Sequence, residues 1–277
     1  MITEFDLDAD GRTVHAYDSG HRGSDELVVF WHHASPQIGA PPAPLFSASD
    51  RLDIRWVSHD RPGYGGSTAI EDRDVALVTR DVVAVVDALG IETSAVMGHS
   101  GGGPHALACG ALLPERVLGV VSVAAQAPFD AGELDWFGGM AASNVQEMRA
   151  AAAGRAELEA YESSEVLTDL EFTADDMATL NGDWAWIFEV GAEAHGSGGL
   201  IEDLLAFVKP WGCDLADIAA PTLLLHGGRD RVVPSTHARW LRDTIPSAEL
   251  RRYDGEGHIS VLRHAEAALD WLKGQRT

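Results

Sequence analysis

The chain alternates between short apolar runs and segments whose apolar residues recur at helical spacing. The runs at residues 27–31, 54–57 and 117–124 are continuous and of strand length, which favours strands covered on both faces of a sheet. Residues 75–89 instead carry Val and Leu three or four positions apart and stop at Gly90, as amphipathic helices do. This alternation of strand and helix predicts an α/β fold.

The two ends of the chain fit the same sheet, and its middle does not. Residues 2–7 and 13–17 alternate around an Asp-Gly turn, which predicts an antiparallel hairpin at a sheet edge. Residues 129–214 lack short apolar runs and are rich in Ala and Glu at helical periods, before strand and helix patterns resume. We therefore predict one core domain formed by residues 1–128 and 215–277, with a helical cap segment at residues 129–214.

One stretch carries the clearest chemical signal. The strand predicted at residues 94–98 runs into Gly-His-Ser-Gly-Gly at residues 98–102, which fits the G-x-S-x-G pattern of a nucleophile on a strained strand-to-helix turn. The flanking glycines are expected because a Cβ there would press on neighbouring backbone. The new helix would aim N–H groups at negative charge beside Ser100. A small-residue turn that only allows close packing is the alternative on this pattern alone.

Charge and cysteine content narrow the function classes. A formal net charge of -23 argues against nucleic acid or an anionic membrane as a partner. Cys109 and Cys213 match no metal-ligand spacing. Neither a basic and apolar leader nor an apolar run of spanning length is seen, so a cytoplasmic protein is expected. We also expect a small-molecule substrate and a monomer or homodimer.

Five motifs in order resemble those of the α/β-hydrolase superfamily, specifically its cap-bearing, esterase-like serine hydrolases. They are residues 33–36, 60–67, 98–102, 226–230 and 255–258. The resemblance implies a mostly parallel eight-stranded sheet with helices on both faces and an inserted helical cap. It also implies hydrolysis without a metal or organic cofactor.

The resemblance assigns a catalytic triad. It makes Ser100 the nucleophile, His258 the base that takes its proton, and Asp230 the acid that orients the imidazole. These residues follow the chain order Ser, acid, His that is typical of the superfamily. Asp130 follows the strand predicted at residues 117–124 and is an alternative acid.

The resemblance also assigns the oxyanion donors, which are the backbone N–H groups of Gly101 and Ser35. Here the chain departs from the family, because Ala34 stands where glycine is usual. If that position needs a positive φ, alanine would strain or shift the loop. Asp60 and Arg61 are expected to tie loops together beneath the site rather than to act in catalysis.

The cap segment suggests an apolar substrate. It contains large apolar side chains, most of which we expect to form its own core and some to line a pocket. These are Trp136, Phe137, Met140, Trp184, Trp186, Phe188 and Trp211. Residues 196–199 would be a hinge or a turn. These features predict hydrolysis of a small carboxylic ester or lactone through an acyl-serine intermediate.

Other functions use the same residues. C–C bond hydrolysis remains open, as does an aminopeptidase that would hold its substrate's ammonium group with Glu189 and Glu193. A catalytically silent ligand-binding protein of the same fold is the alternative from another class.

Overall fold

The computed structural model describes residues 2–21, 23, 25–164, 172–194 and 198–275. Its centre is an eight-stranded sheet in the order β1-β2-β4-β3-β5-β6-β7-β8. The strands are β1 (Thr3–Ala9), β2 (Arg12–Asp18), β3 (Leu27–His32), β4 (Ile54–His59), β5 (Ser94–His99), β6 (Val117–Val123), β7 (Thr222–Gly227) and β8 (Ala248–Tyr253). β1 and β2 form an antiparallel hairpin at one edge, and β2 also pairs antiparallel with β4. The other pairings in the sheet are parallel. The predicted α/β class and mostly parallel sheet are confirmed.

Ten α-helices accompany the sheet in the described part of the chain. They are α1 (Phe46–Leu52), α2 (Val78–Ala88), α3 (Gly102–Leu112), α4 (Ala142–Ala153), α5 (Arg155–Glu162), α6 (Ala174–Leu180), α7 (Trp186–Glu193), α8 (Gly199–Phe207), α9 (Thr236–Thr244) and α10 (Ala265–Gly274). Among the described residues, the two largest apolar cores contain residues of α2, α3 and α9 in one case and of α1 and α10 in the other. The sheet is thus covered on both faces, which explains why β3 to β7 are almost wholly buried.

The helices α4 to α8 all lie between β6 and β7 and fall within the cap segment. Helix α8 packs against the sheet domain, where the Gly199 N–H donates to the Gly63 carbonyl at 3.1 Å. A hinge or a turn was expected at residues 196–199. Residues 196 and 197 of that segment lie outside the described residues. The bounds of the cap segment remain a prediction.

Two helices begin later than their periodicity suggests. Helix α2 starts at Val78 rather than at residue 75, and the Ala76 N–H ahead of it donates to the Trp211 carbonyl. The closing helix begins with a 3₁₀ turn over Ser260–His264 before α10. Its first N–H, from Ser260, is given to a side chain of the cap segment. In the described residues, none of the helices is both long and apolar enough to cross a membrane.

Candidate active site

The turn between β5 and α3 places Ser100 in a conformation that few non-glycine residues adopt. Its φ is 52°, and its N–H donates to the Val123 carbonyl at 2.8 Å. A Cβ on Gly98 would lie 2.2 Å from the Gly102 carbonyl oxygen, and one on Gly102 would lie 2.0 Å from the His32 carbonyl oxygen. The steric need for both glycines is confirmed, and Ser100 is held at the corner that this close packing creates.

A hydrogen-bonded chain connects Ser100, His258 and Asp230. His258 Nε2 lies 2.9 Å from Ser100 Oγ, and His258 Nδ1 lies 2.8 Å from Asp230 Oδ2. His258 and Asp230 are 4% and 5% exposed. The three residues come from the ends of β5, β7 and β8, so the parallel sheet brings them together at the carboxyl edge of its strands.

Asp230 is fixed as an ionised acceptor. Its Oδ1 accepts the backbone N–H groups of Val232 and Val233 at 2.9 and 2.8 Å. Burial by itself would raise the pKa of Asp230, but the charge of His258 and hydrogen bonds from His226 and His258 outweigh it and lower the pKa well below its ordinary value. With Asp230 ionised, His258 donates from Nδ1 and presents Nε2 to Ser100.

The pKa of His258 is raised above its ordinary value of 6.5. Burial lowers the pKa of the imidazole, but the charge of Asp230, its hydrogen bond and the charge of Asp176 more than offset that effect. The ring is therefore well suited to take a proton from Ser100. Asp130, the alternative acid, is exposed, and His258 Nδ1 is already bonded to Asp230.

The two expected oxyanion donors lie side by side. A Cβ on Gly101 would be 2.3 Å from Ser35 Oγ. Among the hydrogen bonds of the described residues, none uses the N–H of Gly101 or of Ser35, so both remain able to donate. Ala34 is not among the residues with positive φ. Alanine therefore brings no positive-φ strain to this loop.

Asp203 of α8 holds the loop that carries Ser35. Its carboxylate accepts from the Ser35 hydroxyl and pairs with Arg61 at 2.6 Å and with Arg73. Arg61 also donates to the Ala34 carbonyl at 3.2 Å and to Ser35 Oγ at 3.0 Å. Burial would raise the pKa of Asp203, but the two guanidinium charges lower it well below its ordinary value. Arg61 thus ties loops together, as the sequence suggested.

Asp60, the residue before Arg61, also holds backbone. Its carboxylate accepts the N–H of Gly39 at 2.6 Å, the N–H of Gly66 at 2.8 Å and the Tyr17 hydroxyl at 3.1 Å. These bonds fix the loop after β4 against its neighbours.

A pocket of about 510 Å³, including its opening to solvent, begins at Ser100, Gly101 and Ser35. Its wall is mostly apolar and includes Trp136, Met140, Met148, Leu204, Phe207 and Val233. Trp136 and Met140 belong to the set of cap side chains that was expected to contribute in part to a pocket. Trp184 instead packs in the sheet-domain core, and Phe188 is 54% exposed.

Two polar residues of the pocket wall, Asn144 and Glu147, were not found from the sequence. Asn144 and Glu147 lie with Met148 on one face of α4, at positions i, i+3 and i+4. Burial and the nearby Glu162 carboxylate raise the pKa of Glu147 to about 8. The expected carboxylates Glu189 and Glu193 are exposed and do not line this pocket. Helical spacing could have grouped Asn144 with Glu147 on one face of a helix. No local sequence signal shows that this face is directed toward Ser100.

Within the described residues, no three His, Cys, Asp or Glu side chains are grouped to hold a metal ion.

Comparison with known proteins gives similar chains over nearly the full length. The chain is 28% identical over 269 residues to a 2-hydroxymuconate semialdehyde hydrolase from Pseudomonas putida, covering 93% of this chain and 88% of that protein. It is 30% identical over 270 residues to a non-heme chloroperoxidase from Streptomyces lividans, covering 93% and 94%.

Among solved structures, an enol-lactonase from Burkholderia xenovorans LB400 is similar in fold. It superposes with a TM-score of 0.72 at 23% identity, covering 98% of this chain and 99% of that one. A family model described as the alpha/beta hydrolase fold matches residues 28–265. The chain belongs to the α/β-hydrolase fold family.

Proposed function

We propose that this hydrolase cleaves a small, neutral and largely apolar carboxylic ester or lactone through an acyl-serine intermediate. The observation that carries the proposal is the hydrogen-bonded chain from Asp230 through His258 to Ser100, which opens directly onto the pocket. Such an arrangement turns an otherwise weak hydroxyl into a nucleophile.

The geometry supports a two-stage reaction. His258 Nε2 accepts the Ser100 proton as Oγ attacks the substrate carbonyl carbon, and Asp230 stabilises the imidazolium that forms. The N–H groups of Gly101 and Ser35 donate to the oxyanion, a contribution of about 3 to 4 kcal/mol for a single donor in other hydrolases. His258 then protonates the leaving alkoxide. In the second stage His258 takes a proton from water as the water oxygen attacks the acyl carbon, and it returns that proton to Ser100 Oγ when the bond between Oγ and the acyl carbon breaks.

The charge of the pocket supports a neutral substrate. None of its described lining residues is Lys, Arg or His, and the raised pKa of Glu147 favours its protonated form. A carboxylate on the substrate would therefore lose its hydration without gaining a cationic partner. A neutral ester or lactone has no such cost.

C–C bond hydrolysis is the second candidate, favoured by the similarity to the 2-hydroxymuconate semialdehyde hydrolase. By its name, that relative's substrate is the anion of an acid, which the pocket of this chain does not suit. An aminopeptidase would need an ionised carboxylate for the substrate's ammonium group, and the raised pKa of Glu147 opposes that role.

Labelling with a fluorophosphonate separates an enzyme from a silent binding protein. We expect rapid modification of Ser100, and none in Ser100→Ala or His258→Ala. Turnover of p-nitrophenyl esters and lactones should exceed turnover of a muconate semialdehyde and of amino-acid anilides. A wild-type protein that is neither labelled nor active on any ester or lactone would overturn the proposal.

Action on a small molecule in the cytoplasm, as a monomer or homodimer and without nucleic acid or membrane partners, completes this proposal. The net charge of -23 supports it by opposing polyanionic partners. Size-exclusion chromatography with light scattering gives the oligomeric state, and a larger assembly would contradict it.

A further inference from the structure

Asp176 of the cap segment lies against the loop that carries His258. The residue is 1% exposed, and its Oδ1 accepts the backbone N–H groups of Ile259 at 2.8 Å and Ser260 at 2.7 Å. Its Oδ2 accepts the N–H and the hydroxyl of Thr173, both at 2.9 Å, at the start of α6. One buried carboxylate thus joins a cap helix to the two residues that follow His258.

The residue before His258 is in contact with the same carboxylate. A Cβ on Gly257 would lie 2.0 Å from Asp176 Oδ2, so only glycine leaves room for the carboxylate at this position. The Gly257 N–H donates to Ser260 Oγ at 2.7 Å and closes the loop on itself. Asp176 therefore constrains the main chain on both sides of His258, whereas Asp230 constrains only the ring.

We propose that Asp176 is a positioning residue for His258, holding its loop in place from the cap segment and stabilising its imidazolium by charge. This inference rests on the proposed function in that His258 is taken as the base. Asp176 is not part of the pocket wall and need not touch a substrate.

The charged and titratable groups around His258 give Asp176 a distinct electrostatic role. Asp230 bonds the ring directly, and His226 lies behind Asp230 at 3.4 Å. The His99 ring is centred 5.3 Å from the His258 ring, and burial lowers the pKa of His99 to about 3, so it stays neutral. Glu256 is turned toward Arg263 and His264. After Asp230, Asp176 supplies the second carboxylate charge that raises the pKa of His258.

The test compares Asp176→Asn with Asp175→Asn, which removes a half-exposed carboxylate from the same helix. Asparagine keeps the size of Asp176 and an oxygen for the backbone N–H groups but removes the charge. NMR titration of ring-labelled histidine, with the His258 signal assigned by its absence in His258→Ala, should show a lower His258 pKa in Asp176→Asn and an unchanged one in Asp175→Asn. The acid limb of kcat/KM on a p-nitrophenyl ester should move to lower pH in the same variant.

Two further variants keep the proposal testable if Asp176→Asn does not fold. Asp176→Ala should lower kcat about tenfold with little change in KM, because the loop loses its anchor while the pocket is intact. Gly257→Ala pushes on the carboxylate from the other side and should shift the His258 pKa in the same direction. Circular dichroism establishes that each variant is folded.

The titration needs no substrate, so it separates the two proposals. An equal His258 pKa in the wild type, Asp176→Asn and Gly257→Ala would overturn the role of Asp176 even in an active esterase. A lower pKa in Asp176→Asn, in a protein that hydrolyses no ester, would support the electrostatic role and overturn the proposed function instead.

Discussion

Arg61 and Asp203 form a fully buried ion pair across the junction between the sheet domain and the cap segment, with Arg61 Nη2 2.6 Å from Asp203 Oδ2. The same carboxylate accepts from the Ser35 hydroxyl. The contact between the two parts of the protein thus also fixes the loop expected to supply an oxyanion donor.

Removing Asp203 should therefore cost both stability and activity. Asp203→Asn leaves Arg61 and Arg73 buried without their counter-charge, and we expect the free energy of unfolding to fall by about 3 to 5 kcal/mol. Asp72→Asn, which removes an exposed partner of Lys209, should change it by less than about 1 kcal/mol. Urea unfolding measures both. A folded Asp203→Asn protein with unchanged kcat would show that the Ser35 loop does not depend on this pair.

Gly98→Ala should disable the elbow. The new methyl group would meet the backbone of Gly102 at 2.2 Å, and backbone cannot move aside as a side chain can. We expect a loss of about 1 to 3 kcal/mol in stability and at least about tenfold slower fluorophosphonate labelling of Ser100. Gly132→Ala, where a Cβ meets nothing within 4 Å, serves as the matched control. Equal labelling rates in the two variants would contradict the steric account.

Glu147 should give substrate binding a pH dependence. Its pKa of about 8 means that the pocket gains a negative charge as the pH rises past that value, which disfavours an apolar substrate. KM for a neutral ester should rise between pH 7 and pH 9 in the wild type and stay flat in Glu147→Gln. Glu157→Gln, on the exposed part of α5, should behave as the wild type. A KM that rises equally in all three proteins would rule out Glu147 as the cause.

Buried neutral histidines should make the fold sensitive to acid. Burial lowers the pKa of His59 and of His105 to about 4, whereas an unfolded chain takes up these protons near pH 6.5. The unfolded state therefore binds more protons between these values, and the free energy of unfolding falls as the pH drops from 6.5 through 4. Urea midpoints at pH 7.5 and pH 5 should differ less in His59→Phe than in the wild type. His21→Gln, at an exposed position, should keep the full difference.

The geometry of the candidate active site was predictable from the sequence because its signals are local. Strand, turn and helix periods place Ser100 at a corner, and the turns after β7 and β8 hold Asp230 and His258. Parallel pairing then brings the three strand ends to one edge without further information.

The supports of the centre were not predictable. Asp176 follows Asp175, and Asp203 follows Glu202, in a chain with 43 acidic residues. Nothing in the local pattern separates a buried carboxylate that binds a distant loop from a solvated neighbour, because the difference arises only when α6 and α8 pack on the sheet domain. Asn144 and Glu147 were missed for the same reason.

The connections made by Asp176 and Asp203 bear on protein engineering. Exchanging the helices between β6 and β7 for those of another hydrolase, in order to transplant a new specificity, would also remove both carboxylates. Chimeras that retain an aspartate facing residues 257–260 and another facing Arg61 should keep their turnover, whereas grafts chosen for pocket shape alone should be slow whatever they bind.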